Sequence, residues 1–403
     1  MPQVNTDILV WARETASFSR EDAVKKLNIR DARGMGAVDR LVALETGQDI
    51  PSRPLLLKMA KQYRRPLLTF YLSAPPRKGN RGQDFRTLPK EHTDTSDAIL
   101  DALIRDVLAR QSIVRSILDD EEETEPLRFV NSLNMSDGVS EVLASIRKTL
   151  GVDVGRFRQQ KAVEDAFALL RQSAEAVGVF VLLIGNLGSH HSVIDLETFR
   201  GFALADPVAP FIVINDQDAK SAWSFTLLHE LAHLWLGATG VSGSSGEMVI
   251  ERFCNDVASE FLLPSEELSV LDVDSGTDLE IAVEQINTFA GERHVSPAMV
   301  AYKLHRSGVI GRDKWRCLEI KFREQRICSR DERRERNKER DGGPDYYVVK
   351  RHRIGAALID LVKRTMNEGN LTPSKAGKVL GVKPTNVEAL VSSVMSARPG
   401  PVA

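Results

Sequence analysis

The sequence predicts an α+β chain, mostly helical, whose few strands sit together in one central stretch. Two patterns carry this expectation. Short continuous apolar runs, the mark of buried strands, occur as "VFVLLI" (179–184), "GFALA" (201–205) and "PFIVIN" (210–215). Nearly everywhere else the apolar residues return every three or four positions, the period of an amphipathic helix. A helix, then strands, then a long apolar helix within one segment describe a mixed domain.

In chain order, "TDILVWARETA" (6–16) is amphipathic, and "SREDAVKKL" (19–27) opens on a serine suited to capping a helix. "AVDRLVALETG" (37–47) closes on Gly47 as a helix stop, and "RPLLLKMAKQYRRPLLTFYL" (53–72) supplies two more apolar faces. "SAPPRKGNRGQDFRTLP" (73–89) is rich in Pro, Gly and charge and reads as a linker. The amphipathic "SDAILDALIRDVLARQSIVRSIL" (96–118) ends in the acidic run "DDEEETEP", a solvated boundary. "VEDAFALLRQSAEAVG" (163–178) is helical and leads into the three strands. "KFREQRICSRDERRERNKER" (321–340) is dense in both charge signs and reads as an exposed helix or stalk. The tail is again helical, and "TPSKAGKVLGVKPTNVEAL" (372–390) has a helix–turn–helix cadence with Gly381 at the turn. That tail has no chemistry of its own in the sequence; it could pack on the preceding domain, dimerise, or bind nucleic acid through Lys350, Arg351 and Arg353. The resulting division is 1–75, 76–151 (linker and amphipathic helices), 152–310 (the domain with the sheet), 311–343 (charged stalk) and 344–403 (helical C-terminal unit).

A length of 403 residues allows two or three domains. The net charge of −2 excludes a polycation built throughout for nucleic acid, so any such contact must come from a local patch. Cys254, Cys317 and Cys328 are odd in number and lack a CxxC, which argues against a disulfide scaffold and for a reducing compartment. The N-terminus lacks the layout of a signal peptide, and no apolar run approaches the roughly 18–20 residues of a membrane span. The expectation is a soluble, cytoplasmic protein with no membrane partner.

Chemistry concentrates in "TLLHELAHLWLG" (226–237). His229 and His233 are four apart, one turn above the other on the same helical face, with Glu230 roughly a quarter-turn away. Two neutral imidazoles at that spacing can share one ion, and zinc accepts them at about 2.0–2.1 Å. A glutamate beside them can serve as base towards a water activated by that ion. A core helix that happens to carry two histidines is the alternative, so a third ligand must decide.

The candidate third ligand is Glu251, in "VIERFCNDVASEFLLP" (249–264). Ile250, Phe253, Val257 and Phe261 give this stretch a helical apolar stripe. Zinc hydrolases with two histidines and a glutamate take the third donor from such a second helix and keep one position open. Asn255, four residues on, could hydrogen-bond a ligating histidine. Cys254 offers a thiolate, although a free cysteine on such a helix is more often a small core residue. Glu260 lies about two and a half turns from Glu251, too far to share an ion. His190 and His191 in "GSHHSV" follow a strand; they could touch substrate but read first as loop residues.

With "HELAH", then "ERFCN…EFLLP", and the lead-in "FRGFALADPVAPFIVIN", residues 155–310 resemble the ImmA/IrrE family of metallopeptidases. The resemblance implies a zincin-like domain with a small sheet and one zinc ion on His229, His233 and Glu251, with Glu230 as general base. Manganese or another divalent ion is compatible with such ligands. It further implies a regulatory endopeptidase acting on a protein substrate, such as a transcriptional repressor cleaved in a stress or DNA-damage response. A strand such as Phe211–Asn215 would stand at the cleft edge and take the substrate peptide by β-addition.

Residues 5–72 resemble the five-helix XRE (Cro/repressor-like) helix–turn–helix domain, including an E-x-G-x-x-x-P turn at Glu45, Gly47 and Pro51. The departure is "RDARGMGAVDRLVALE" (30–45), where a recognition helix should start but few Asn, Gln or Ser side chains stand ready for base edges. Arg30, Arg33 and Arg40 could hold phosphates, and repressor-like domains usually pair, which implies a homodimer. Two rival readings follow. The zinc domain of a DNA-binding regulator could sense or scaffold without cutting, or the chain could be a toxin–antitoxin or phage-related component.

Overall fold

The structure is a computed structural model that describes residues 4–32, 34–76, 94–121, 125–188, 192–196, 198–237, 245–338 and 345–392. By internal packing the chain divides into two units: Met1–Arg81 with Thr87–Asp106 and Asn186–Thr198, and Gly82–Arg86 with Val107–Gly185 and Phe199–Ala403. The described elements are mostly helical with one small sheet, as expected of an α+β chain. No helix among the described residues is long and apolar enough to cross a membrane.

The first unit contains α1 (Thr6–Glu14), α2 (Arg20–Leu27), α3 (Ala37–Glu45), α4 (Arg53–Gln62) and a 3-10 helix at Leu67–Tyr71, where five helices were expected. Ser19 caps α2 through the Asp22 amide, as its position before the helix suggests. Leu9, Leu27, Leu41, Leu56, Met59 and Phe70 form the core. Within it Glu45 accepts from Arg13 at 2.6 Å and pairs with Arg20 at 3.0 Å. The connection from α2 to α3 spans residues 28–36 and carries a bridge between Ala32 and Met35. A helix–turn–helix turn takes three or four residues.

The second unit is built around three strands: β1 (Phe180–Leu183), β2 (Gly201–Leu204) and β3 (Phe211–Ile214). All twelve positions are buried, which is why they read as unbroken apolar runs. The order is β1-β3-β2, with Phe180 opposite Phe211 in the parallel pair and Gly201 opposite Ile214 in the antiparallel pair. This corrects the expectation for Phe211–Asn215. That strand is hydrogen-bonded on both sides, so it cannot accept a substrate peptide by β-addition; the outer strand on its other flank is β2.

Helices α8 (Val163–Ala176) and α9 (Lys220–Trp235) pack on the sheet, and α10 (Ser245–Leu262) packs on α9. Around them lie α6 (Val139–Leu150), α7 (Val154–Arg158), α11 (Leu279–Glu292), α12 (Pro297–Arg306) and α13 (Arg312–Lys338). The segment expected as a charged stalk begins as packed structure. Leu318 and Phe322 of α13 are buried, Lys321 pairs with Glu280 at 2.8 Å, and Arg326 reaches Asp218 at 3.5 Å. Two apolar residues four apart suffice to dock a helix whose other faces are charged.

The C-terminal helices α14 (Tyr346–Ile354), α15 (Ala356–Asn367), α16 (Pro373–Leu380) and α17 (Val387–Ser392) join the same unit. Their anchor is a buried ion pair on α8. Arg171 pairs with Glu175 at 3.1 Å and donates to the carbonyls of Val181, His352 and Arg353. Glu175 accepts from the Ala356 and Ala357 amides at 3.1 and 3.4 Å. It thereby caps α15, whose own N-cap residue Gly355 has no side chain to do so. Burial raises the Glu175 carboxyl from its usual range against the pull of Arg171.

Candidate metal centre

Helix α9 is apolar nearly all round because it is enclosed nearly all round: Leu227, Leu228, Leu231, Leu234 and Trp235 are fully buried. It opens at Lys220 after Ala219, with no side-chain cap. Gly237 ends it with φ at +62°, where any Cβ would collide with Asn131. Into this apolar setting the helix carries His229, Glu230 and His233, each buried. Polar groups in such surroundings are costly without partners, so their joint burial calls for a chemical reason.

The partner comes from α10. Cys254 and Ala258 on its buried stripe are fully enclosed, and Glu251 stands one turn earlier on the same side. His229 Nε2 and His233 Nε2 lie 3.1 Å apart. Glu251 reaches them through its two oxygens, Oε2 at 3.2 Å from His229 and Oε1 at 3.3 Å from His233. Donor atoms bound tetrahedrally at about 2.0–2.1 Å are separated by about 3.3 Å, so the three edges suit one small divalent cation. Two imidazoles and a carboxylate are also the donor set of a hydrolytic zinc site. Only Glu251 has appreciable side-chain exposure, 24 %, so the cluster is reached from the α10 side.

Glu230 faces β2. A Cβ built on Gly201 would come 2.8 Å from Glu230 Oε1, 2.5 Å from Thr226 Cγ2 and 3.2 Å from the Val213 carbonyl oxygen. The strand backbone therefore closes directly on the carboxylate. Neither Gly201 nor Thr226 was singled out from the sequence. The available signal was a glycine opening a strand run, which marks close approach of backbone.

The outer face of α10 is held by α12. Tyr302 donates to Asp256 Oδ1 at 3.1 Å, and Arg306 pairs with Asp256 Oδ2 at 2.6 Å. Burial, then the Asp256 charge, pushes the Tyr302 phenol up to about 12, so it remains a donor at neutral pH. One turn beyond Asp256 on α10, Glu260 accepts from Lys303, which also donates to the Leu263 carbonyl. Burial lowers the Lys303 ammonium against the opposing pull of Glu260. These contacts fix the helix that presents Glu251.

The remaining candidates separate clearly. Cys254 is enclosed in the hydrophobic core and stays out of the cluster, and Glu260 is committed to Lys303 and Ser265. Asn255 is half-buried one turn beyond Glu251. His190, His191 and Arg33 lie outside the described residues. Arg30 is exposed, whereas Arg40 turns back to donate to the Arg30 carbonyl. Arg353 pairs with Asp216 at 2.6 Å and so serves the fold.

Residues 184–305 match the peptidase M78 family model, the IrrE N-terminal-like domain. The match supports the ImmA/IrrE family for this span and a metallopeptidase-type function, and it contains the whole His229, His233, Glu251 cluster. No curated protein and no solved structure matches the chain.

Proposed function

We propose that the chain is a zinc-dependent endopeptidase, with His229, His233 and Glu251 as the ligands and Glu230 as the general base. The observation that carries this reading is the convergence of three donor atoms from two helices at 3.1–3.3 Å. Zinc is favoured by the donor set, and manganese is a tolerated substitute. A divalent cation held there supplies Lewis acidity, bringing the pKa of a water towards 7 and polarising a carbonyl. Glu230 takes the proton of the attacking water and returns it to the leaving amine. Thr226 and the β2 backbone at Gly201 confine that carboxylate, which keeps it in one place between the two transfers.

The substrate class in this reading is a protein, such as a transcriptional repressor removed in a stress response. The test is Glu230→Gln in the full chain, followed by metal content and hydrolysis of a fluorogenic peptide library. Retained zinc with cleavage lost by a factor of 10² or more is expected for removal of an acid–base residue. Unchanged cleavage overturns the reading.

A further inference from the structure

The C-terminal helices carry a feature that the peptidase reading leaves unused. Helix α16 ends at Leu380, and a short 3-10 turn, Pro384–Asn386, leads directly into α17. Only Gly381, Val382 and Lys383 lie between. Gly381 makes the turn in the left-handed region with φ at +64°. Gly377 lets the turn pack against α16 itself, since a Cβ there would meet the Val382 carbonyl at 2.9 Å and the Pro384 nitrogen at 3.1 Å. Ala376, Val379, Leu380, Val387 and Leu390 are buried, alongside Leu358, Ile359 and Val362 of α15. Two short helices joined by a glycine turn, with a 3-10 turn opening the second, and braced by a third have the layout of a helix–turn–helix.

The face left outside is chemically specific. Lys375 and Lys378, one turn apart on α16, are exposed, as are Lys383 in the turn and Thr385 at the start of the second helix; Asn386 beside it is half-buried. Residues 372–392 hold three lysines against one glutamate, in a chain whose net charge is −2. The Arg110 guanidinium of α5 (Asp94–Asp119) stands at the Gly381 turn and adds to the same charge. In such motifs the first helix crosses the phosphates and the N-terminal residues of the second meet base edges in the major groove. Lysines suit the former role, and asparagine and threonine the latter.

We propose that α16, the Gly381 turn and α17 form a duplex-DNA interface, with Lys375, Lys378 and Lys383 on phosphates and Thr385 and Asn386 at base edges. This is independent of whether the metal cluster cuts peptide bonds. The test uses the full chain and a fluorescent mixed-sequence duplex of about 30 base pairs, titrated between about 50 and 200 mM salt, then selection from a random duplex pool. Binding should weaken steeply with salt. The triple variant Lys375→Ala, Lys378→Ala, Lys383→Ala should lose at least tenfold in affinity and reduce the salt slope by roughly three. Thr385→Ala with Asn386→Ala should keep mixed-sequence binding and lose about 10–100-fold of the preference for the selected site. All five side chains lie outside the buried core, and circular dichroism of each variant should match the parent. Arg30→Ala with Arg40→Ala provides the comparison in the N-terminal unit. Any of four results overturns the proposal: no duplex binding at about 50 mM salt, a triple variant that binds like the parent, loss confined to the Arg30 and Arg40 variant, or preference for single-stranded RNA over the duplex.

Discussion

Gly201 on β2 approaches Glu230 on α9 so closely that a methyl group in place of its hydrogen would come 2.8 Å from the carboxylate oxygen. The methyl would also press on Thr226 and the β3 backbone, so the strand or the glutamate must move. Gly201→Ala should cost about 1–3 kcal/mol of stability as overpacking. It should also lower peptide cleavage at least tenfold, while zinc content remains that of the parent because the three proposed ligands are untouched. Thermal unfolding, metal analysis and kcat measured together check this; unchanged kcat with full zinc contradicts it.

The proposed ligands should behave differently from the proposed base. His229→Ala, His233→Ala and Glu251→Ala should each lose zinc affinity, whereas Glu230→Gln should bind one equivalent. Chelation of the parent should lower its Tm, since a ligand present at 100 times its Kd stabilises the folded state by roughly 2.7 kcal/mol. Calorimetric titration of the apo chain with Zn2+ separates the two groups of variants. Equal affinity for the Glu251 variant and the parent would remove that residue from the site.

The Arg171–Glu175 pair joins the C-terminal helices to α8 and β1 through five hydrogen bonds beyond the pair itself. Arg171→Ala strips one charge from a buried pair and should destabilise by about 3–5 kcal/mol. The loss should be concentrated in α14 and α15, whose amides should exchange with solvent faster than those of α9. Uniform exchange throughout the unit would contradict this anchoring role.

How far the sequence discloses this molecule differs from element to element. The strands and the pairing of His229 with His233 were legible because their signals are local: continuous apolar runs, and two histidines whose spacing equals one helical turn. Glu251 stood out because it lies on a second helix, marked by the apolar stripe of Ile250, Phe253, Val257 and Phe261, from which a site with two histidines and a glutamate takes its third donor. Strand order was not, since placing β3 between β1 and β2 depends on pairings between residues some thirty positions apart, such as Phe180 with Phe211. The role of Gly201 was hidden for the same reason. The anchoring role of Arg171 and Glu175 was not legible because their partners, His352 and Ala356, lie far along the chain.

His352 gives the fold a pH dependence of definite sign. Burial, then the charge of Arg171, holds its imidazole below the ordinary 6.5, with Lys220 and Arg353 adding to the effect and Asp216 opposing it. Between that depressed value and 6.5 the unfolded chain binds more protons than the folded one. The contribution is therefore complete above 6.5 and is lost as pH falls through the window. Urea midpoints of the parent and of His352→Gln, both in EDTA, should diverge less at pH 5.5 than at pH 7.5. A pH-independent difference would contradict the assignment.

Zinc K-edge X-ray absorption on the full chain loaded with one equivalent of Zn2+ addresses the metal centre most directly. Two imidazoles and one carboxylate require a shell of nitrogen and oxygen at about 2.0–2.1 Å, with imidazole scattering and no sulfur. A sulfur neighbour at about 2.3 Å, or failure of the chain to retain zinc under any loading condition, would contradict it.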